Sequence, residues 1–288
     1  MNYVIFNGNI IERSEANVDI EDRGYQFGDG VYEVIRVYNS KMFTATEHLE
    51  RIILSAKKIG MELTYTVKEM KELLTQLITK NSLEHGTIYM QFSRGVAPRN
   101  HPYPTSDVAH SFVAYTKEVA RPLANLENGV KAILKEDIRW LLCDIKSLNL
   151  LGNVMAKQEA ISKGCYEAIQ HRGEVVTEGS SSNISIIKDG TLYTHPASNL
   201  ILNGITRRKM IEVCEKDGIP VVEEPFSLND LNTADEVFLS STTSEITPII
   251  QINEKLVGEG VPGVLTKRIQ GLFDAAIESE CGRLTTTV

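Results

Sequence analysis

Residues 140–153 read WLLCDIKSLNLLGN, and their one basic side chain, Lys146, stands in a run of mostly apolar residues. Removal from water disfavours the charged form of a lysine. The neutral amine is the form that attacks a carbonyl carbon and makes a Schiff base. Alternatively, such a lysine is purely structural, with its alkyl stem packed and its charged end reaching water. Taken alone, this stretch leaves both interpretations open.

A second stretch, VVTEGSSSNIS at residues 175–185, begins with a strand-like pattern and continues into a polar loop. Glu178 stands at the end of that strand, where a carboxylate can face a cleft. There it could keep a pyridine nitrogen protonated, so that the ring acts as an electron sink. Gly179 and the following serines offer backbone N–H groups and hydroxyls. The simpler alternative is a glutamate in contact with solvent on a loop.

Three further segments are candidates for binding a phosphate. GITR at residues 204–207 precedes a predicted helix, and the first N–H groups of a helix attract a dianion. SSTTS at residues 240–244 follows a predicted strand and could add hydroxyl donors. Arg51 lies beside the apolar stripe of another predicted helix and could supply a charged fork. Each segment, considered separately, is also typical of an ordinary cap or turn.

The loop RGVAPRNHPYP at residues 94–104 is stiffened by three prolines. Arg99 and His101 are two residues apart, so in an extended loop they point the same way and could bind a carboxylate. A glycine-rich segment at residues 22–33 ends with Tyr32, which could donate to the same carboxylate. Ordinary surface loops are the alternative for both segments.

Hydrophobic periodicity predicts an α+β fold in two domains. The predicted elements of the first half are a hairpin over residues 3–12, a strand over 31–38, helices over 47–60 and 67–80, and strands near 87–93 and 110–116. The polar segment 117–128 marks the boundary, which predicts domains over residues 1–120 and 121–288, with Lys146 in the second. That half should contain strands near 129–134, 166–170, 183–187, 191–194 and 236–240, and helices near 150–163, 205–217 and 262–278.

Bulk composition argues against several classes of protein. The formal net charge of -8 does not suit a nucleic-acid binder or a protein of anionic membranes, both of which need a basic face. No apolar run approaches the roughly 20 residues that span a bilayer. The four cysteines show neither C-x-x-C spacing nor a zinc pattern, so we expect no metal and reduced thiols, as in a cytoplasmic protein.

Together these motifs resemble the fold-type IV pyridoxal-phosphate enzymes, and most closely the bacterial D-amino-acid aminotransferases. The resemblance covers nearly the whole chain: DIKSLNLLGN with TEGSSSNI marks the class, and Arg99-x-His101 narrows it to the D-specific branch. It implies a two-domain fold with pyridoxal 5′-phosphate in the cleft between the domains. It also implies ping-pong transamination, such as D-alanine plus 2-oxoglutarate giving pyruvate plus D-glutamate, and a homodimer with sites near the interface.

The resemblance also implies roles for matching positions. Lys146 looks like the lysine that carries the cofactor and then moves the substrate proton. The other implied cofactor contacts are Glu178 at the pyridine nitrogen, Arg51, Ile205, Thr206 and Thr242 at the phosphate, Leu202 at the ring face, and Ser181 in the Ser180–Ser182 loop behind it. The implied contacts of the substrate carboxylate are Tyr32, Arg99 and His101. The tail after about residue 279 matches nothing in the family.

Two other activities fit the same fold. An L-branched-chain aminotransferase would place the substrate carboxylate in the other pocket and leave Arg99 and His101 without this task. An aminodeoxychorismate lyase would release pyruvate without a 2-oxo acid acceptor. A non-catalytic module, in which Lys146 is a core lysine, is a third alternative.

Overall fold

The computed structural model describes residues 2–284, which divide into two compact units. The first unit holds the described residues of Met1–Ala120, Ile145–Asn149 and Glu280–Val288, and the second holds Arg121–Asp144 and Leu150–Ser279. The sequence predicted domains over residues 1–120 and 121–288. In the structure, the segment with Lys146 and the described residues from Glu280 onward are grouped with the first unit.

The first unit is built on a six-stranded antiparallel sheet in the order β2-β1-β6-β5-β3-β4. Its strands are β1 (Tyr3–Phe6), β2 (Asn9–Glu12), β3 (Gly30–Tyr38), β4 (Lys41–Met42), β5 (Gly86–Ser93) and β6 (Ser111–Glu118). Its helices are α1 (Arg23–Phe27), α2 (Ala45–Lys58) and α3 (Val67–Asn81). Asn7 and Gly8 have φ angles of 49° and 84°, which makes the tight turn between β1 and β2.

Helices α2 and α3 pack on this sheet through their apolar stripes. Leu49 and Ile52 of α2 and Leu74 of α3 are completely buried in one core together with Ile35 of β3. Ile145, next to Lys146 in the chain, is buried in the same core. The apolar contacts of Ile145 therefore anchor the lysine segment to the first unit.

The second unit contains a nine-stranded mixed sheet and five helices. Its strands are β7 (Val130–Glu136), β8 (Glu167–Arg172), β9 (Val175–Gly179), β10 (Asn183–Lys188), β11 (Thr191–Thr194), β12 (Val221–Glu223), β13 (Glu236–Ser241), β14 (Glu245–Ile252) and β15 (Lys255–Leu256). Its helices are α4 (Leu123–Asn128), α5 (Leu151–Ser162), α6 (Ile205–Lys216), α7 (Leu228–Asn232) and α8 (Val264–Cys281). The sheet order is β12-β11-β10-β13-β14-β7-β8-β9, with β15 paired to β14. This order brings the ends of β9, β10 and β13 into one region of the unit, because β10 pairs with β13 and the Gly179 N–H donates to the Ser182 carbonyl.

The strands and helices predicted from periodicity are confirmed, with ends that differ by at most three residues. The short helices α1, α4 and α7 and the strands β4, β12, β14 and β15 were not predicted. Helix α4 lies inside the polar segment taken as the domain boundary. The segment after residue 279 includes the end of α8 at Cys281, and residues 285–288 lie outside the described residues.

Three features of residues 2–284 concern membrane spans, metal-binding groups and the state of the cysteines. None of the helices there combines the length and apolar character needed to cross a bilayer. No group of three or more His, Cys, Asp or Glu side chains in this range is placed to hold a metal ion. All four cysteines are free thiols.

Candidate functional site

Lys146 is fixed by backbone hydrogen bonds on both sides. The Tyr32 N–H donates to the Lys146 carbonyl at 3.0 Å, and the Leu148 N–H donates to the Gly30 carbonyl at 3.0 Å. The Lys146 N–H donates to Ser55 Oγ on α2 at 3.3 Å. The lysine segment thus runs alongside the start of β3 and directs alternate side chains to opposite sides.

The amine of Lys146 lies over an aromatic ring. Its Nζ is 4.3 Å from the centroid of the Tyr32 ring. Tyr32 is stacked on Tyr89 of β5, which is stacked in turn on Tyr115 of β6, with centroid distances of 5.7 and 5.1 Å. Burial, with these two neighbouring phenols, raises the pKa of Tyr89 well above its usual range. The row of three rings holds Tyr32 in place beside the lysine.

Arg51 on α2 is bound to a buried carboxylate. Its Nε and Nη2 donate to the two oxygens of Glu33 at 2.6 and 3.0 Å. His48, one turn earlier on α2, places Nδ1 2.7 Å from the same carboxylate. Burial alone would disfavour the charged form of Glu33, but Arg51 and His48 hold the pKa of Glu33 well below its usual range. Two adjacent residues of β3 thus position the other groups. Tyr32 contacts the Lys146 amine, and Glu33 binds Arg51 on α2.

Arg99 and His101 lie on an exposed loop and contact the same aromatic ring. The Arg99 guanidinium is 4.4 Å from the centroid of Phe27, and the ring centroids of His101 and Phe27 are 5.7 Å apart. Buried Arg23 donates to the carbonyl of Asn100 at 2.6 Å and so braces the loop from beneath. Within residues 2–284, neither side chain has a hydrogen bond, ion pair or ring contact with Tyr32 or Lys146.

Glu178 is buried at the end of β9 and bound at both oxygens. One oxygen is paired with Arg139 Nη1. The other accepts from the Leu202 N–H at 2.9 Å and from Asn183 Nδ2 at 3.2 Å. A neighbouring guanidinium and hydrogen bonds from N–H donors favour the ionised form of a carboxylate. The site therefore holds Glu178 as an oriented anion.

Arg139 is oriented in turn by Asp137. Its Nε and Nη2 donate to the two oxygens of Asp137 at 2.9 and 2.8 Å. Arg172 Nε and the Thr177 hydroxyl also donate to Asp137, each at 3.0 Å. Burial would raise the pKa of Asp137, but the hydrogen bonds from Arg139 and Arg172 lower it to about 2.

Asn183 ties Glu178 to the start of α6. It donates to Glu178 and, at 2.8 Å, to the Leu202 carbonyl. A Cβ atom at Gly204 would lie 2.1 Å from Asn183 Oδ1, so the chain approaches this side chain as closely as a glycine allows. The N-cap residue of α6 is Gly204, which makes no side-chain cap hydrogen bond, and the first two helical residues, Ile205 and Thr206, are buried.

The serines after Glu178 face a second buried glutamate. Glu167 on β8 accepts from the hydroxyls of Ser180, Ser181 and Ser182, at 3.3 Å for Ser181 and 2.8 Å for Ser182. The Asn153 side chain donates to the Ser180 carbonyl at 2.8 Å. These contacts hold the loop behind Glu178. Thr242 is half-buried in the turn between β13 and β14, where the Ser244 N–H donates to Ser241 Oγ at 3.1 Å.

The site residues named from the sequence thus fall into two groups. The first unit holds Tyr32, Arg51, Lys146, Arg99 and His101, and the second holds Glu178, Ser181, Leu202, Ile205, Thr206 and Thr242. Sequence reasoning missed the partners that orient them. Asn183 stood within the quoted motif VVTEGSSSNIS and Arg139 directly before WLLCDIKSLNLLGN, but their spacing from Glu178 gave no sign of contact. His48 and Glu33 pair only because α2 packs on β3.

Comparison with known proteins gives a consistent set of similarities. The family model for class IV amino-transferases matches residues 30–252. The D-alanine aminotransferase of Staphylococcus aureus (strain COL) is 53% identical over 279 residues, which cover 97% of this chain and 99% of that protein. The D-alanine aminotransferase of Listeria monocytogenes serotype 1/2a (strain 10403S) is 52% identical over 283 residues, covering 98% of both chains. The crystal structure of the Escherichia coli branched-chain amino acid aminotransferase matches with a TM-score of 0.89 and 30% identity, covering 96% of this chain and 95% of that one.

Proposed function

This chain belongs to the class IV amino-transferase family, and from that premise we propose that it exchanges amino groups between D-amino acids and 2-oxo acids with pyridoxal 5′-phosphate as cofactor. The reaction is D-alanine plus 2-oxoglutarate giving pyruvate plus D-glutamate. The observation that carries the proposal is the Lys146 amine over the Tyr32 ring, on a segment held by hydrogen bonds to β3 and α2. An amine fixed in this way is suited to condensing with an aldehyde.

The side chains present fit this cofactor by their chemistry. A pyridine nitrogen needs a carboxylate that stays ionised, and Glu178 is held by Arg139, Asn183 and the Leu202 N–H. A phosphate dianion suits the N-terminus of α6, because the N-cap residue Gly204 has no side chain to offer the first N–H groups. When bound, the cofactor supplies an electron sink for the substrate Cα–H bond.

In the first unit, Lys146 would anchor the cofactor and then move the substrate proton. The amine is a general base of suitable reach, because its backbone is fixed on both sides and its stem is directed by the Tyr32 ring. Arg51 would bind the phosphate by charge-assisted hydrogen bonds. Tyr32 would also donate to the substrate carboxylate.

In the second unit, Glu178 would keep the pyridine nitrogen protonated. Leu202 would support one face of the ring, and Ser181 would form part of the loop behind it. Ile205 and Thr206 would bind the phosphate through the start of α6, and Thr242 would add a hydroxyl.

Arg99 and His101 would bind the substrate carboxylate together with Tyr32. The amino group of the substrate is bound to the cofactor and its α-hydrogen must face Lys146. The carboxylate and the side chain therefore occupy the two positions that remain around Cα. Exchanging those two positions inverts the preferred enantiomer. The side on which Arg99 and His101 hold the carboxylate therefore decides handedness.

A coupled assay tests the activity. Purified protein with added pyridoxal 5′-phosphate should form pyruvate from D-alanine over repeated turnovers only when 2-oxoglutarate is present, because each site releases a single pyruvate without it. L-alanine should give little product. Preference for L-leucine would favour the branched-chain activity of the E. coli protein, whose structure is similar at 30% identity. Release of pyruvate from aminodeoxychorismate without a 2-oxo acid acceptor would favour a lyase.

We also propose that the enzyme is a cytosolic homodimer. Four free thiols, three of them buried, suit a reducing compartment. The loop with Arg99 and His101 is exposed and is held from beneath by Arg23, so both side chains are accessible to a partner subunit. Light scattering on the purified holoenzyme should give twice the 32.1 kDa mass of the chain; the monomer mass would contradict the dimer.

A further inference from the structure

We propose that Glu33 and His48 are positioning residues, which hold the Arg51 guanidinium in the one orientation that binds the cofactor phosphate. This inference rests on the proposed assignment of Arg51 to that phosphate. Neither Glu33 nor His48 is proposed to touch cofactor or substrate. They act through Arg51.

The first step in the argument is the geometry of the Arg51–Glu33 pair. A guanidinium is planar, and its N–H donors have fixed directions relative to one another. Two of them, on Nε and Nη2, point at the two oxygens of Glu33 at 2.6 and 3.0 Å. This double contact fixes the plane of Arg51 and so the directions of its other donors.

The second step is the burial of the carboxylate. The side chain of Glu33 has no exposure to solvent, and that of Arg51 retains 10%. A buried carboxylate without partners is costly, so Glu33 is committed to the groups around it. Arg51 therefore cannot turn away without leaving a charge unpaired in the interior of the unit.

The third step is the role of His48. Its Nδ1 is 2.7 Å from the oxygen of Glu33 that also accepts from Arg51 Nη2. Burial lowers the pKa of His48, which favours the neutral ring, and a neutral ring protonated at Nδ1 donates to the carboxylate. His48 thereby holds the Oε2 atom of Glu33 together with Arg51 Nη2.

A positioning role and a purely electrostatic role of Glu33 have opposite consequences for phosphate binding. If Glu33 acted on the phosphate only through its charge, it would weaken binding, because it neutralises Arg51. Its removal would then strengthen phosphate binding. If Glu33 positions Arg51, its removal weakens phosphate binding despite the gain in positive charge. The two roles predict changes of opposite sign.

The test compares pyridoxal 5′-phosphate with pyridoxal, which lacks the phosphate. Full-length apoprotein of each variant is titrated with both compounds. The Kd for pyridoxal divided by the Kd for pyridoxal 5′-phosphate measures the contribution of the phosphate, and this quotient is the ratio compared between variants. We expect Glu33→Gln to reduce this ratio by about 10-fold or more, the range typical when a partner that orients a ligand-binding group is lost. Glu72→Gln, which makes the same change at an exposed position on α3, should leave the ratio unchanged.

Arg51→Ala separates the two levels of the proposal. Arg51→Ala alone should reduce the ratio, and adding Glu33→Gln to it should cause no further reduction. If Arg51→Ala reduces the ratio and Glu33→Gln leaves it unchanged or raises it, the positioning role is wrong and the proposed function stands. If Arg51→Ala has no effect, the phosphate assignment of Arg51 is wrong, and the positioning role falls with it.

Variants of His48 keep the test decisive should Glu33→Gln fail to fold. Asn can place a side-chain N–H near the position of Nδ1, whereas Ala cannot. His48→Ala should therefore reduce the ratio, and His48→Asn should retain most of it. Equal ratios in wild type and His48→Ala would contradict the role of His48.

Discussion

At the residue scale, two charged side chains assigned to the cofactor, Arg51 and Glu178, are each held by a second charge. Arg51 is bound by Glu33, and Glu178 is bound by Arg139, which Asp137 orients. Such pairs are strongly destabilised when one partner is removed, because the other charge stays buried. The same contacts that stabilise the fold therefore also fix the directions of the groups that perform chemistry.

Arg99→Ala should weaken substrate binding more than it slows turnover. A hydrogen bond between charged groups contributes about 1.5–3 kcal/mol, so the KM for D-alanine should rise roughly 10-fold or more. The side chain is exposed and packs on Phe27, so folding should be little affected. Steady-state kinetics measure the change, and Lys68→Ala, which removes a positive charge at an exposed position on α3, is the control. An unchanged KM would refute the carboxylate assignment.

Asp137→Asn should destabilise the protein in a pH-dependent way. The folded-state pKa of Asp137 is lowered to about 2 from an ordinary value of 3.8, so ionised Asp137 stabilises the fold above about pH 4. This contribution, about 2 kcal/mol, is lost as the pH falls towards 2. Urea unfolding at pH 7 and at pH 3 should show a loss in Asp137→Asn that is larger at pH 7.

The control for Asp137→Asn is Asp189→Asn. Asp189 lies on an exposed turn with a φ angle of 50°, a conformation that Asn tolerates well. Its free energy of unfolding should stay close to that of wild type at both values of pH. A loss in Asp137→Asn that is the same at pH 7 and pH 3 would contradict the lowered pKa.

At the element scale, the start of α6 is coupled to the end of β9 through Asn183. Gly204→Ala should disturb this coupling, since the new Cβ would meet Asn183 Oδ1 at 2.1 Å. The φ angle of -61° is open to alanine, so the effect would come from the collision alone. We expect the affinity for pyridoxal 5′-phosphate to fall about 10-fold, measured by titrating the apoprotein.

Gly271→Ala is the matched control for Gly204→Ala. A Cβ at Gly271 meets nothing within 4 Å, and the residue lies within α8. Alanine is favoured over glycine in a helix by about 1 kcal/mol, so this variant should be slightly more stable and bind the cofactor as wild type does. Equal cofactor affinity in both variants would show that Asn183 does not couple α6 to Glu178.

The elements themselves follow from local sequence to a large extent. The hairpin turn at Asn7-Gly8 and the amphipathic helices α2 and α3 have strong local signals, and the structure confirms them. Strand β14 lacks such a signal, because its residues are buried on both faces and so do not alternate. Helices α1 and α7 have five residues each, too few for a helical period.

At the scale of the whole molecule, the division of the chain could not be deduced from local patterns. Ile145–Asn149 is grouped with the first unit because Ile145 enters that core and its neighbours bond to β3. These contacts join residues more than 100 positions apart. Periodicity within a window reports nothing about them, so it could not group Lys146 with the first unit.

The same limit applies to the candidate site. Motifs indicated Lys146 and Glu178, because unusual residues stood in unusual local settings. The partners Glu33 and His48 were not indicated, because each looks ordinary in its own segment. Their side chains meet only where α2 packs on β3. Sequence reasoning therefore names groups proposed to touch the cofactor more readily than the groups that orient them.

The central claim is that Lys146 carries the cofactor, and one measurement tests it directly. The yellow holoenzyme is reduced with borohydride, digested, and its peptides are mapped by mass spectrometry. The account predicts the added mass of reduced pyridoxal 5′-phosphate on Lys146, in the peptide that contains DIKSLNLLGN. The added mass on a different lysine, or on no peptide at all, would contradict it.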